Sequence, residues 1–269
     1  VPGLILKDTP PGEGYDGDPN SVSQLSWVCL RDHTSHVCQE AERLLDAVPE
    51  LRMPQEVSDA VVIAARYHDL GKSHDAFQRF LLSNLEGNEL PEPEGAKWAK
   101  RGTKKRPSFD VRPPFFRHEV ASALTLLYAD ISLDGWGKDL AAYLASAHHG
   151  KVRLSMRSLP KARDQSPDHY YLLGFRLLDE TVAEEEWRQA NLLPPTDLGG
   201  GVVTAQAVVD ASIAQIGAND NGERSWLDRT LNLLAQLGPF RLAYLEALLR
   251  AADVLASIKE QEGGGDSNG

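Results

Sequence analysis

Cysteine is scarce: the 269 residues include only Cys29 and Cys38. If both lie on one helix, nine residues apart, they stand roughly 13 Å from each other, beyond disulfide reach. A reducing, cytoplasmic setting is therefore expected. No uninterrupted apolar run approaches the ~20 residues that a membrane-spanning helix needs. The opening VPGLILKDTPPGEG has neither the basic flank nor the apolar core of a secretory signal, so no membrane partner is expected. Positive charge is also in deficit, with 28 Lys and Arg against 39 Asp and Glu and a net charge of −11. That excludes a surface that is basic throughout. Alternating strand patterns are scarce, and no internal repeat is visible.

What basic charge there is falls in two short stretches. Residues 97–117 carry eight basic side chains against the single acid Asp110, and residues 151–163 carry five against none. Such local concentrations on an acidic body could attract phosphate, although solvated loops have the same composition. Lys104, Lys105, Arg106, Arg117, Lys151 and Arg153 are the candidate nucleic-acid contacts.

Hydrophobic periodicity, with Pro and Gly as breakers, predicts helices over 25–48, 55–68, 74–84, 116–130, 138–149, 203–216, 224–236 and 240–259. The stretch 164–190 is mixed but mostly helical in pattern. Residues 86–114, with five prolines, read as a basic inserted loop, and 192–201 as a Pro/Gly loop. The expected fold class is all-α: one domain over 25–259, between an N-terminal arm or linker (1–24) and a flexible tail (260–269).

Several imidazoles and carboxylates stand where such helices would direct them inward. At about 100° per residue, His33 lies within the apolar stripe of its helix beside Leu30, Val37 and Leu44. His36 lies at the stripe's margin and reads as a partly exposed neighbour. His68 continues the face of Val61, Ala64 and Ala65. Asp69, about 100° further round, offers two oxygens that could bridge two metals. Gly71 would let the chain turn tightly, and Lys72 could then approach a phosphate. The triplet Gly71-Lys72-Ser73 is not a P-loop, because that motif needs a glycine at the position of Arg66.

His148-His149 closes a helix ahead of Gly150. Taken alone, the pair reads as a polar helix terminus, and His118 as a surface histidine. Asp253 shares a face with Leu242, Leu245, Leu249 and Ala256. A carboxylate there costs several kcal/mol unless it is paired or binds metal, and a buried salt bridge would satisfy it equally well. Imidazole and carboxylate suit borderline divalent metals such as iron, manganese, nickel and zinc. His74 and His169 stand in polar surroundings and are assigned to the surface. Cys29 and Cys38 are most simply core residues.

The order of these motifs resembles the HD nuclease domain of CRISPR-associated type I interference nuclease-helicases. The matching residues are His33, His68-Asp69-Leu70-Gly71-Lys72, Phe77-Gln78, His118-Glu119, His148-His149-Gly150, and Ala252-Asp253 with Ser257. They span about 25–259. The resemblance implies an HD-domain helical bundle with loop insertions that cuts single-stranded DNA with two divalent metal ions, drawn from iron, manganese, nickel, cobalt or magnesium. It implies that His33, His68, Asp69 and Asp253 hold one ion. Asp69 would bridge to a second on His118, His148 and His149, and Lys72 would contact the scissile phosphate. Expected partners are a helicase domain or subunit and the CRISPR RNA-guided surveillance complex.

No helicase motif occurs in the sequence, and its abrupt start suggests a domain cut from a longer protein or a stand-alone subunit. The insertion at 86–114 matches no motif. Two other readings remain: an HD phosphohydrolase acting on nucleotides or cyclic dinucleotides, and a non-enzymatic binding module with a vestigial site. The basic stretches and the Phe77-Gln78 match favour the nuclease.

Overall fold

Helix–helix packing, with only two-stranded ribbons beside it, organises the computed structural model. It describes residues 26–47, 53–103, 105–108, 116–133, 135–150, 152, 154, 156, 171–177, 182–214 and 222–263. Seven α-helices occur among them: α1 (Leu30–Asp46), α2 (Gln55–Tyr67), α3 (Asp75–Leu82), α4 (His118–Tyr128), α5 (Gly135–Ala147), α6 (Glu184–Ala190) and α7 (Trp226–Gly263). The mostly-α expectation holds. Among the described residues, no helix is long and apolar enough to cross a membrane.

Two kinds of helix build the core. α1 is amphipathic and buries Leu30, His33, Val37 and Ala41 along one stripe, the spacing that a helical period dictates. α4 and α5 are enclosed on nearly every side, with Val120–Leu127 and Asp139–Ala147 buried without interruption. α5 lies against α2, α4 and α7, and α1 lies against α2 and α7. Five helices therefore meet around one centre.

α7 contains the break that the periodicity predicts between two helices. Gly238 has φ 74° and is followed by Pro239, a conformation open to glycine but strained for other residues. Beyond the kink the helix continues to Gly263, past the expected domain end, which removes Glu260 from the expected tail.

Gly71 lies where the chain turns tightly, as expected, and close packing gives a further reason for glycine there. It lies in a 3₁₀ turn, Leu70–Ser73, and a Cβ there would stand 2.1 Å from the His118 carbonyl oxygen. The glycine is needed so that this turn can lie flush against α4; it shows no left-handed φ.

The insertion at 86–114 contains structure that the sequence pattern hid. Strand β1 (Val28–Cys29) pairs antiparallel with β2 (Trp98–Lys100), which lays the insertion across the start of α1. Gln78 fastens it there. Its amide nitrogen donates to the carbonyls of Lys72 (2.7 Å) and Trp98 (2.9 Å), and its oxygen accepts from the Trp98 amide (3.0 Å).

Over its described residues, 203–214, the helix expected at 203–216 is absent. Strand β5 (Leu192–Leu193) pairs with β8 (Ala207–Val208), and β6 (Thr196–Asp197) pairs with β7 (Val203–Thr204), with a 3₁₀ turn at Ala211–Ala214. Helical spacing of apolar residues was matched here by a run rich in β-branched Val and Thr, which favours pleated pairing. Within the stretch expected to be mostly helical, β3 (Tyr171–Leu172) and β4 (Phe175–Arg176) form a hairpin ahead of α6.

Candidate metal centre

Five helices contribute side chains to one buried cluster. α1 supplies His33, the end of α2 supplies His68 and Asp69, the start of α4 supplies His118, the end of α5 supplies His148 and His149, and α7 supplies Asp253. All seven sequence-predicted ligands converge. His33, His68, Asp69, His118, His148 and Asp253 are buried, and His149 is partly buried.

Asp69 stands between two sets of imidazoles and divides its oxygens between them. Oδ2 lies 3.3 Å from His33 Nε2 and 3.4 Å from His68 Nε2, while Oδ1 lies 3.0 Å from His118 Nε2 and 3.8 Å from His148 Nε2. On the first side, Asp253 Oδ1 reaches to 3.2 Å from His33 Nε2. On the second, His149 Nε2 lies 3.2 Å from His118 Nε2.

The donor set fits divalent cations. Both Asp69 oxygens and the Nε2 atoms of His33, His68 and His148 are buried without an aligned hydrogen bond, a costly condition for polar atoms that the Lys72 ammonium relieves at one Asp69 oxygen alone. The Nδ1 atoms of His68 and His148 donate to the carbonyls of Ala65 (2.8 Å) and Ala145 (2.6 Å). That hydrogen bond fixes the tautomer which leaves Nε2 as a lone-pair donor to metal. The ligand atoms of His33, His68 and Asp253 lie within 4.8 Å of one another, as do those of His118, His148 and His149. Two neighbouring ions are what these two groups, joined through Asp69, would hold.

The protonation states differ across the centre. Burial and Lys100 oppose charge on His33, yet the carboxylates of Asp253, Asp69 and Glu260 close around it hold its pKa up to about 10. Burial would raise Asp69 and Asp253, but neighbouring His68, Lys72 and His33 for the one, and His33 for the other, keep both carboxyls well below the usual range. Burial and the adjacent imidazoles push His149 well below its ordinary value, and burial with His68 lowers His148.

Other sequence assignments turn out as follows. Lys72 is buried, with its ammonium 2.9 Å from Asp69 Oδ2, so it supplies counter-charge to the bridging carboxylate. His36 is 44% exposed and sits at the rim, as its helical phase predicts. Cys38 is buried and Cys29 half-buried, both as free thiols.

His74 is not a surface residue. It caps α3 by accepting from the Ala76 amide (3.1 Å), stacks on Phe116, and donates to the Ala190 carbonyl (3.1 Å). Its polar sequence neighbours concealed the aromatic partner, which lies 42 positions away. His169 lies outside the described residues.

The basic candidates divide. Arg117 is ion-paired with Glu119, exposed Lys105 pairs with Glu89, and Arg106 is exposed. Lys104, Lys151 and Arg153 lie outside the described residues. Two further cations of the 97–117 stretch are interior: Arg101 donates to the carbonyls of Leu81, Ser83 and Lys105, and Lys100 pairs with Glu260.

Glu260 is the participant that sequence reasoning missed. Its carboxylate lies 3.0 Å from His33 Nδ1, 2.9 Å from His36 Nδ1 and 3.0 Å from Lys100 Nζ. Burial would raise its pKa, but His33, Lys100 and His36 draw it down to about 2. The available signal was its position seven residues after Asp253, two helical turns along the same face.

Residues 17–257 match the family model described as Cas3, HD domain. No curated protein and no solved structure matches the chain.

Proposed function

The chain belongs to the Cas3 HD-domain family of metal-dependent nucleases of CRISPR systems, and on that premise we propose that it hydrolyses phosphodiester bonds of single-stranded DNA during type I interference. A helicase domain or subunit would deliver the strand, and an RNA-guided surveillance complex would recruit the pair. The observation that carries the reading is Asp69 itself, a buried carboxylate whose two oxygens face two separate imidazole clusters.

Two divalent ions held by His33, His68 and Asp253 on one side, by His118, His148 and His149 on the other, and by Asp69 between them would supply Lewis acidity toward a phosphodiester and toward water. The chain's own residues supply the rest. Asp69 keeps its charge despite burial, and neutral His148 and His149 present lone pairs. Lys72, held against Asp69, is positioned to neutralise charge developing on a phosphate oxygen.

His149, partly exposed at the end of α5, marks the side from which a strand reaches the centre. Arg106 and Lys105 on the exposed part of the insertion, together with Arg117, Lys104, Lys151 and Arg153, are the proposed backbone contacts.

The test is hydrolysis by metal-stripped protein after adding back Mn²⁺, Co²⁺ or Ni²⁺. Labelled single-stranded DNA, its duplex, and a panel of nucleotides and cyclic dinucleotides serve as substrates. The expected result is metal-dependent cleavage of the single strand well ahead of the duplex. Turnover confined to the small nucleotides would replace this reading with a nucleotide phosphohydrolase. Inertness toward every substrate with every metal would make the chain a binding module.

A further inference from the structure

A metal-binding imidazole needs its remote nitrogen held, because that bond sets both the tautomer and the direction of the ring. His68 and His148 meet the need locally. Each lies at the C-terminal end of its helix, where the last carbonyls lack partners within the helix, and each donates Nδ1–H to the carbonyl three residues back. His33 lies near the N-terminal end of α1, where no orphan carbonyl exists. The Leu30 carbonyl, three residues back, already accepts from Thr34 Oγ1 (2.9 Å).

The partner of His33 Nδ1 comes from 227 residues away instead: Glu260, at 3.0 Å. Its carboxylate is only 3% exposed and is itself held by Lys100 at 3.0 Å. Lys100 Nζ also donates to Ser257 Oγ, and Ser257 Oγ donates to the Asp253 carbonyl (2.7 Å). Strand β2 of the insertion thus braces the two turns of α7 that carry Asp253 and Glu260.

We propose that Glu260 is the positioning residue of the His33 half of the centre, fixing the ring so that Nε2 faces Asp69 and Asp253, with Lys100 fixing Glu260 in turn. This rests on the two-metal reading above. It gives the inserted segment a function: Lys100 neutralises a carboxylate that would otherwise be buried beside two others. Because Glu260 touches no residue of the His118, His148, His149 group, its influence is confined to one ion.

Co²⁺ titration followed by d–d absorption, with competition by a chelator, tests this on the whole chain. Wild type is expected to take up two ions. Glu260→Ala should weaken one of them by about 10–100-fold, the usual effect of losing such a partner, and leave the other within about twofold. Glu260→Gln, which keeps an oxygen to accept from Nδ1, should recover most of the loss. Lys100→Met combined with Glu260→Ala leaves no unpaired buried cation, so it reports on the His33 contact even where the single alanine variant folds poorly. It should remain weakened.

Two wild-type affinities in Glu260→Ala would overturn the proposal. So would restoration of both ions by the double variant, which would make Glu260 only a counter-charge for Lys100. Wild type that takes up no Co²⁺ would overturn the metal centre itself, a separate failure visible before any variant is made.

Discussion

The two halves of the centre share the bridging Asp69 but differ in charge. The half built by α1, α2 and α7 contains Asp253 and is backed by Glu260, with His33 held near pKa 10 among the carboxylates. The half built by α4 and α5 consists of imidazoles, of which His148 and His149 are lowered by burial and neighbouring imidazoles. The first half is already charge-compensated from within, by protonated His33, by Lys72 against Asp69 and by Lys100 against Glu260. In the second, His148 and His149 offer lone pairs at once. Filling the first half requires displacing a proton and shifting an ammonium, whereas filling the second requires neither.

Removing the shared residue should have the largest effect. Asp69→Ala is expected to abolish both ion binding and cleavage, a loss beyond the ~10–100-fold that a supporting partner commands. Because Lys72 loses its buried counter-charge, Asp69→Ala should also lower stability, so folding is checked by circular dichroism beside the metal titration. Uptake of two ions by Asp69→Ala would show that the halves do not share a ligand. Asp253→Asn and His149→Ala divide the effect: each should remove one ion and leave the other, as read by metal stoichiometry. If both variants lost the same ion, the partition into halves would be wrong.

How far this arrangement was legible in the sequence depended on the environment of each helix. α1 and the second part of α7 have a wet side and a dry side, so phase alone placed His33 inward, His36 at the rim and Asp253 on the leucine face. α4 and α5 have no wet side. With apolar residues at every phase, periodicity carried no direction, and His118 and the His148–His149 pair read locally as surface or terminal residues. Only the order of motifs identified them. Glu260 and Lys100 were hidden for a third reason. Their meaning lies in a contact between the insertion and the last helix, and neither local pattern marks a carboxylate or an ammonium as interior. Gln78 was legible as part of a motif but not as the clamp that binds the insertion to the turn beside Asp69.

The charge difference also predicts a difference in pH response. His33 has its pKa raised to about 10, so at neutral pH it carries a proton that an ion must displace from Nε2, while Nδ1–H stays on Glu260. Affinity in that half should rise about tenfold per pH unit from pH 7 toward 10, with about one proton released per ion bound. His148 and His149 are lowered and are already deprotonated above about pH 6.5, so these two ligands should add no pH dependence to their half over the same range. Mn²⁺ binding followed by calorimetry in buffers of differing ionisation enthalpy separates the two. Equal slopes would erase the distinction.

The smallest effect concerns the carboxylate nearest to the second half after Asp69. Glu119 follows His118 and is buried, as Glu260 is, which suggests a matching role. The geometry argues otherwise. Glu119 Oε2 stands 3.9 Å from His118 Nδ1, beyond hydrogen-bond length, and Oε1 accepts from Arg117 Nε at 2.6 Å. Its charge is directed to Arg117 and not to the imidazole. Glu119→Gln keeps an acceptor for Arg117 but loses the charge, so it should cost on the order of 1–3 kcal/mol of stability, read as a lower melting temperature. Both ions should bind with affinities far less changed than the ~10–100-fold expected of a partner that holds a ligand. A tenfold loss confined to the His118 ion would mean that Glu119 does for His118 what Glu260 does for His33. The halves would then differ in their ligands but not in how those ligands are held.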